Sequence, residues 1–238
     1  MRLTNHLPKA VGSNLANDQQ LRDFAANLAW PSTGWLANLV VDESGAFWGR
    51  NGSSRDVSNH TDLQVLIGLR QGADGLLVSA KTAKAEQYSA SKHVPIAILS
   101  RGADFAGIPA AQDPNTKLPV ILLTPIGRWL KARIRFQKPN VRVVPLLSLS
   151  AQFLATTISA LGWSKVLVEA GPQLTGHLVR VGLVKQIQIA VTGGPKLTSA
   201  AAQDIAKQAL TALSAPDASV LQVFSVDGTF FTRWAVGN

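Results

Sequence analysis

Two hydrophobic periods alternate along the chain, and together they predict an α/β protein. Short apolar runs typical of buried strands occupy residues 35–41, 74–79, 95–100, 119–123, 141–145 and 165–169. Segments with apolar side chains at helical spacing occupy residues 17–28, 61–71, 150–161, 173–181 and 200–213. Because strands and helices alternate, we predict a mostly parallel sheet that is covered by helices.

The C-terminal segment has a different pattern, which predicts an antiparallel hairpin. Residues 219–226 and 229–236 each alternate apolar and polar side chains, as does the run 186–191 before them. Asp227 and Gly228 lie between the two final runs, and this dipeptide favours the tight turn of a two-residue hairpin. We therefore expect the mostly parallel sheet to end in two antiparallel strands.

Composition restricts the class of protein. The 238 residues are 46% hydrophobic and 16% charged, so a substantial core can form. There is no Cys and the four His lie far apart, so neither a disulfide nor a metal site is predicted. The longest apolar runs have the length of strands, so no membrane-spanning helix is expected. We therefore expect a cytoplasmic protein without a metal and without a membrane partner.

The positive charge of the chain indicates an anionic partner. The net charge of +9 and the pI of about 10.3 suit nucleic acid, anionic lipid or a phosphorylated small molecule. Residues 128–142 contain a basic stretch with few interleaved aromatic side chains, formed by Arg128, Lys131, Arg133, Arg135, Lys138 and Arg142. This composition favours a solvated basic surface, or a positive electrostatic field that attracts phosphate-bearing ligands, over a nucleic-acid-binding groove.

Polar residues at loops and strand ends are the first candidates for chemistry. Residues 42–60 are rich in Gly, Ser, Asn and Asp, and a compact domain that keeps so long a loop usually uses it for function. Ser100 and Arg101 end one predicted strand, and Ala80 and Thr82 follow another. The carboxyl ends of parallel strands meet at one edge, where such groups can contact phosphate. For an Arg at a strand end, simple solvation is the alternative.

The junction between the strand at 165–169 and the helix at 173–181 is the sharpest local feature. Ala170, Gly171 and Pro172 let backbone amides and the positive helix end approach a pyrophosphate. On the local pattern alone, an ordinary strand-to-helix turn is the better explanation. Glu169 ends the apolar strand and must be paired, protonated or functional; catalysis and capping of a neighbouring loop explain it equally well.

Several short motifs follow one another in an order that resembles the reductase domain of riboflavin biosynthesis, especially its stand-alone actinobacterial type. The motifs are LRQGADGLLV at 69–78, TAKAE at 82–86, Ser100-Arg101, VEAGP at 168–172 and FTRW at 231–234. The resemblance runs from about Asn38 to the C-terminus and rests on the order of the motifs.

This resemblance implies a fold, an activity and a cofactor. The fold would be a dihydrofolate-reductase-like three-layer α/β/α arrangement with a mostly parallel mixed sheet. Residues 31–238 would form one reductase domain behind an N-terminal helical extension at 1–30. The activity would be NADPH-dependent reduction of 5-amino-6-(5-phosphoribosylamino)uracil or of a related heterocycle such as a dihydropterin. The resemblance also implies a homodimer.

The resemblance also implies site residues. NADPH would contact the set Ala80, Thr82, Ser100, Arg101, Ala170, Gly171, Pro172, Gln173 and Leu174. The substrate side would be formed by Asn38, Gly45 and Ser54. Glu169, or a water held by Asp42 and Ser44, would supply the proton that accompanies hydride transfer.

The chain departs from the usual motifs at four places. Lys81 replaces a common Gly, and residues 184–186 read Val-Lys-Gln in place of the usual Val-Asp-Glu. The family's Ser-Leu-Asp-Gly is replaced by residues 42–45, with Ser44 at the expected Asp, and Glu-Gly-Gly-Pro is replaced by residues 169–172, with Ala170 at the first Gly. These changes leave a second hypothesis open, in which the chain is a diverged member of the fold that binds a nucleotide or a partner without catalysis.

Overall fold

The computed structural model describes residues 1–8, 11–112, 117–194 and 196–237. Within these residues the chain forms eleven strands and eight α-helices. The strands are β1 (Arg2–Leu7), β2 (Val11–Asn14), β3 (Trp35–Val41), β4 (Gly75–Ser79), β5 (Ile96–Leu99), β6 (Val120–Pro125), β7 (Val141–Leu146), β8 (Val166–Val168), β9 (Val184–Val191), β10 (Ser219–Val226) and β11 (Thr229–Ala235). The helices are α1 (Asp18–Ala26), α2 (His60–Gly72), α3 (Ala80–Ala85), α4 (Pro109–Gln112), α5 (Ile126–Arg135), α6 (Ala151–Ala160), α7 (Pro172–Arg180) and α8 (Ser199–Ala212).

All eleven strands belong to one mixed sheet, in the order β2-β1-β10-β11-β9-β3-β8-β4-β5-β6-β7. The seven strands from β9 to β7 run parallel to one another. The remaining four, β11, β10, β1 and β2, are antiparallel to their neighbours. The predicted mostly parallel sheet with an antiparallel C-terminal hairpin is therefore confirmed.

The sheet separates two apolar cores, which gives the predicted three layers. Successive residues of a strand point to opposite faces, so Leu76 and Val78 belong to one core while Leu77 between them belongs to the other. Helices α1 to α5 contribute to the first core, and α6 to α8 contribute to the second. Both faces of the parallel strands are covered, which explains why these strands read as continuous apolar runs in the sequence.

The hairpin turn has the geometry that its sequence predicts. Asp227 and Gly228 both have positive φ, at 46° and 84°, as a two-residue type I′ turn requires. The Asp227 side chain also accepts a hydrogen bond from the Arg2 N–H, which connects the turn to the N-terminus of the chain.

The N-terminal segment corrects one expectation. Helix α1 confirms the helix predicted at 17–28, and Asn17 caps it by accepting from the Gln20 N–H. Residues 1–30 are nevertheless not only a helical extension, because β1 pairs with β10 and β2 pairs with β1. These strands are short and mostly polar or half-buried, so they carry little apolar signal in the sequence. The division of the chain into domains stays a prediction.

Helices α3, α4 and α5 were not predicted from the sequence. The basic stretch at 128–142 is divided between α5 and β7, with Arg142 on the strand. No helix among the described residues is long and apolar enough to cross a membrane.

Candidate functional site

One cleft lies at the carboxyl ends of β3, β8 and β4 and has a volume of about 230 Å³. The long loop between β3 and α2 forms one wall through Trp48, and α2 forms another. The N-terminus of α7 closes the cleft at Gly171. Of the predicted site residues, the cleft brings together Asn38, Ser54, Thr82, Glu169, Ala170, Gly171 and Pro172. This is the edge at which parallel sheets bind ligands.

Glu169 is held in a buried ion pair. Its carboxylate accepts hydrogen bonds from Arg70 Nε at 2.8 Å, from Arg70 Nη2 at 2.6 Å and from the Tyr88 hydroxyl at 2.7 Å. Burial by itself would lower the pKa of Arg70, but the Glu169 charge raises it above its usual value. Burial and the same carboxylate raise the pKa of Tyr88. All three hydrogen bonds are donated to the Glu169 carboxylate, which is therefore satisfied by protein partners.

Asp62 is a second buried carboxyl in the cleft, and it lies in the first turn of α2. It is 4% exposed and accepts a hydrogen bond from the Ser58 hydroxyl at 2.6 Å. Burial raises the pKa of Asp62 from 3.8 to about 6, the Ser58 hydroxyl opposes this change, and the negative charge of Glu169 adds to it. Asp62 can therefore exchange a proton near neutral pH, which is the property of a general acid.

A chain of hydrogen bonds fixes the amide of Asn38. Arg233 is 3% exposed and donates from Nη2 to Gln188 Oε1 at 2.8 Å. Gln188 must then present its Nε2 group to Asn38 Oδ1, which accepts at 3.2 Å. Because a guanidinium can only donate, the direction of every bond in the chain is set by Arg233. Asn38 consequently keeps its Nδ2 donors for the cleft.

Arg233 itself is a buried cation, and the described residues give it no ion pair. Burial lowers its pKa to about 10, its Nη1 donates to the Ala29 carbonyl, and its Nε has no partner among the described residues. The residue lies on β11, so the C-terminal hairpin reaches the cleft through Gln188 on β9.

The turn that begins α7 fits the diphosphate of a dinucleotide. Gly171 is the N-cap residue and has no side chain to satisfy the first N–H groups of the helix. Its own N–H donates to Thr82 Oγ1 at 3.2 Å. A Cβ added at Gly171 would lie 3.6 Å from Thr82 Oγ1 and 3.8 Å from Trp48 Cζ2, which are ordinary van der Waals contacts, so a small side chain could be accommodated there. Ala170 is buried and its carbonyl accepts from the Thr175 hydroxyl.

The loop wall of the cleft is anchored by Glu86, which follows α3. Its carboxylate accepts from the Ser53 hydroxyl and from the Ser54 N–H, both at 2.7 Å. Arg55 adds an ion pair at 3.7 Å and donates to the Glu86 carbonyl. Ser54 therefore lines the cleft, but its N–H is used to hold the loop.

Asp42, Ser44 and Gly45 lie apart from this cleft. Asp42 and Ser44 line a neighbouring open hollow, and Ser58 lines both cavities. The Asp42 carboxylate closes its own turn by accepting from the Ser44 hydroxyl at 2.6 Å and from the N–H groups of Ser44 and Ala46. The Ser44 hydroxyl lowers the pKa of Asp42. Gly45 has a φ of 80° within this turn.

The remaining predicted cofactor residues lie outside the cleft lining. Ser100 is buried and its hydroxyl accepts from the Asp104 N–H, whereas Arg101 beside it is exposed. Ser100 follows β5, the next strand after β4, so it lies along the same sheet edge. Gln173 is exposed and Leu174 is half-buried in the first turn of α7.

Sequence reasoning missed four groups that shape the cleft, namely Asp62, Arg70, Tyr88 and Glu86. The only Tyr of the chain was one available signal, because a lone phenol in an apolar protein often has a buried partner. Asp62 resembles an ordinary helix-start residue in the sequence, and its burial becomes visible only when α2 packs beside Glu169.

Comparison with known proteins shows what the fold is similar to. No protein-family model and no curated protein match the sequence. A pyrimidine reductase-like protein from Corynebacterium diphtheriae superposes with a TM-score of 0.68 at 18% identity, over 91% of this chain and 99% of that one. A diaminohydroxyphosphoribosylaminopyrimidine deaminase/5-amino-6-(5-phosphoribosylamino)uracil reductase from Thermotoga maritima superposes with a TM-score of 0.65 at 15% identity, over 86% of this chain and 57% of that longer one. The riboflavin biosynthesis reductase of Saccharomyces cerevisiae gives a TM-score of 0.56 at 12% identity, over 92% and 97% of the two chains. The chain therefore has the fold that the sequence resemblance predicts.

Proposed function

We propose that this chain is a reductase that uses NADPH to reduce a phosphorylated pyrimidine of the riboflavin pathway, 5-amino-6-(5-phosphoribosylamino)uracil, or a related heterocycle. One observation carries the proposal: a single cleft joins the N-terminus of α7, which has no side-chain cap, to the half-buried Asn38 and to the buried carboxyls of Asp62 and Glu169. The fold shared with proteins named as pyrimidine reductases supports it. A homodimer stays a prediction from the resemblance.

The cofactor would lie with its diphosphate at the N-terminus of α7. The free N–H groups that follow Pro172 in the first turn of the helix would hold the phosphates, and Thr82 would support the turn by accepting from the Gly171 N–H. When bound, NADPH supplies a hydride to an electrophilic carbon of the substrate. Arg101, exposed at the end of the neighbouring strand, would contact the adenosine phosphate and favour NADPH over NADH.

The substrate would be oriented by side chains with fixed hydrogen-bond roles. The Nδ2 group of Asn38 would donate to a carbonyl oxygen of the heterocycle, since Gln188 occupies its Oδ1. Trp48, which is 48% exposed on the loop wall, offers a flat apolar surface for a ring. Both groups bind and orient the substrate rather than take part in bond making.

Asp62 is our candidate for the proton donor. Hydride addition to the carbon of an open ribosylamine, which carries a carbon–nitrogen double bond, leaves an electron pair on nitrogen that must take a proton. Glu169 is not the donor in this arrangement, because its carboxylate already accepts hydrogen bonds from Arg70 and Tyr88. Asp62 lines the same cleft, and because its pKa is about 6 it holds a proton at pH values below about 6. Glu169 would instead position Arg70 and raise the proton affinity of Asp62.

The proposal is tested by cofactor binding and turnover. Purified protein is titrated with NADPH and with NADH while the quenching of Trp fluorescence and energy transfer to the nicotinamide are followed. We expect saturable binding that favours NADPH, and oxidation of NADPH when 5-amino-6-(5-phosphoribosylamino)uracil is added. Binding without oxidation would favour the non-catalytic alternative, and no binding of either nucleotide would reject the proposal.

Two variants test whether NADPH binds at the N-terminus of α7. Gly171→Val should keep the fold, because an added Cβ makes only ordinary contacts and the φ of Gly171 is −62°. The added methyl groups would occupy the space in front of the turn, so we expect NADPH affinity to fall by about tenfold or more. Gly127→Val is the control, because a Cβ at Gly127 meets no atom within 4 Å. Equal affinities in the two variants would remove the α7 assignment.

A further inference from the structure

Helix α5 presents an unpartnered apolar stripe on its outer side. Ile126, Leu130 and Ile134 follow one another at four-residue spacing, so they share one face of the helix. They are 47%, 61% and 65% exposed, whereas large aliphatic side chains on an ordinary surface helix face the core. Isolated exposed apolar residues are normal, but three on one face form a continuous surface.

The opposite side of α5 is firmly packed. Ala132 and Phe136 are buried in the core, and Trp129 Nε1 donates to the Val143 carbonyl of β7 at 2.9 Å. Strand β7 is the edge of the sheet. The stripe is therefore the outer surface of a well-anchored helix at the end of the molecule.

Exposed apolar residues continue beyond the helix. Pro125 pairs with Leu146, so the start of α5 and the segment after β7 leave the sheet at the same corner. Leu147 is 68% exposed, and Leu149 and Phe153 are each 41% exposed. This corner extends the apolar stripe around the sheet edge.

The chain segment that carries the apolar stripe has charges of one sign, and the Asp104 carboxylate outside this segment acts on Arg135. Residues 114–168 contain no Asp or Glu and eight basic residues, namely Lys117, Arg128, Lys131, Arg133, Arg135, Lys138, Arg142 and Lys165. At 3.6 residues per turn, Arg133 flanks one side of the stripe and Lys131 flanks the other, whereas Arg135 and Arg128 lie farther round the helix. Within the described ranges, none of these eight residues forms an ion pair.

The combination of exposed aliphatic side chains and basic residues on α5 favours one class of binding partner over the others. A second copy docked through the same face would place the cations of α5 against themselves, which is unfavourable. A nucleic acid would satisfy the cations but offers little to three exposed aliphatic side chains, since bases are bound by stacking on aromatic rings. An anionic bilayer surface satisfies both features, because headgroups attract Lys and Arg while aliphatic side chains enter the acyl boundary.

We propose that α5 docks this protein peripherally on an anionic phospholipid surface, with Ile126, Leu130 and Ile134 inserted and the flanking basic residues at the headgroups. The docking surface lies at the β7 edge of the sheet, apart from the cleft residues, and does not depend on the reductase activity. The expectation from sequence of no membrane partner concerned spanning segments, which peripheral docking does not require.

The test is co-sedimentation of the purified full chain with vesicles. Vesicles of phosphatidylcholine mixed equally with phosphatidylglycerol are compared with vesicles of phosphatidylcholine alone. We expect binding to the anionic vesicles, little binding to the neutral ones, and loss of binding as salt is raised, because surface attraction is screened. Absence of binding to anionic vesicles at low salt would overturn the proposal.

Matched variants separate insertion from general charge. Leu130→Ser/Ile134→Ser should weaken vesicle binding by about tenfold or more, since two inserted aliphatic side chains are lost. Lys131→Gln/Arg133→Gln should also weaken it, by about tenfold or more at low salt. Lys92→Gln/Lys196→Gln removes the same net charge from exposed sites elsewhere and should bind like the unchanged protein. Circular dichroism and thermal unfolding confirm that each variant is folded.

The remaining outcomes each have one meaning. Equal weakening by the Lys92/Lys196 control would show attraction by net charge alone and would overturn the α5 assignment. Unchanged binding of the Leu130/Ile134 variant would overturn insertion. An oligomer that the Leu130/Ile134 variant dissociates would assign the stripe to a second copy, and preferential binding of an oligonucleotide over vesicles would assign the basic residues to nucleic acid; either result overturns the proposal.

Discussion

Replacing Asp62 by Asn tests whether this carboxyl is held in the cleft at the expense of stability. The Asn side chain has nearly the same shape, and its Oδ1 can still accept from the Ser58 hydroxyl. The bond from the Asp62 N–H to Asn59 Oδ1 involves the backbone and should remain. The substitution therefore removes a charge and leaves the packing of α2 unchanged.

The expected effect follows from the pKa of Asp62. Burial raises it from 3.8 to about 6, so the folded protein binds this proton more tightly than the unfolded chain. A raised carboxyl pKa costs stability above pH 6, and this cost disappears as the pH falls toward 3.8, where both states are protonated. A shift of roughly two units corresponds to about 3 kcal/mol. The pKa of the folded protein already includes the attraction between the carboxylate and the N-terminus of α2, so we expect the Asn variant to gain up to about 3 kcal/mol at high pH.

Urea unfolding of the two proteins at about pH 8 and about pH 4 measures this difference. We expect Asp62→Asn to be more stable at the higher pH and to lose the advantage at the lower pH. Asp204→Asn is the control, because Asp204 is exposed on α8 and its variant should change stability little at either pH. A destabilised Asp62→Asn at the higher pH, or the same difference at both values, would refute the argument.

Three further changes test the groups around the cleft. Arg70→Met leaves the Glu169 charge buried without its cation, so urea unfolding should show a loss of about 3 kcal/mol; addition of Glu169→Gln should recover part of it. Gln188→Glu gives the buried Arg233 a carboxylate partner. Asn38 must then donate to this carboxylate instead of accepting from Gln188. Thermal unfolding should then show a more stable protein, while NADPH-linked turnover should show weaker substrate binding. Glu86→Gln loses a carboxylate that accepts from the loop wall, so trypsin should cleave after Arg55 faster than in the unchanged protein.

Much of the fold could be predicted from the sequence, because the spacing of apolar residues matches the faces of the strands and helices that are buried. The parallel strands are covered on both faces, so each reads as an uninterrupted apolar run, and the Asp227-Gly228 turn has a conformation that few other dipeptides adopt. The N-terminal strands were missed because their side chains are mostly polar and their pairing with β10 spans nearly the whole chain. Helix α5 was missed because its exposed apolar and basic residues break the usual pattern of one apolar side facing the core.

The candidate site could be predicted only in part. The end of a strand can be located in the sequence, but the distant residue that will contact a side chain there cannot. Glu169 and Thr82 follow the apolar runs of β8 and β4 and reach one cleft, as their places in the sequence predict, whereas Asn38 lies within β3 and was expected only from the resemblance. The partner of Glu169 could not be predicted, since Arg70 lies 99 positions away in a helix where Arg usually faces solvent. Asp42 follows a strand end in the same way but folds back on its own turn.

The ion pair of Glu169 gives the two buried carboxyls of the cleft, Glu169 and Asp62, different roles. Arg70 and Tyr88 donate hydrogen bonds to Glu169, and the negative charge of Glu169 adds to burial in raising the pKa of Asp62. A proton donor and a fixed negative charge thus arise from the same residue type in different surroundings. If Asp62 is the donor, turnover should decline as the pH rises through about 6, the value above which Asp62 also costs stability. The two profiles should therefore share an inflection that Asp62→Asn removes from both, whereas an inflection in turnover that survives the substitution would separate the proton donor from Asp62.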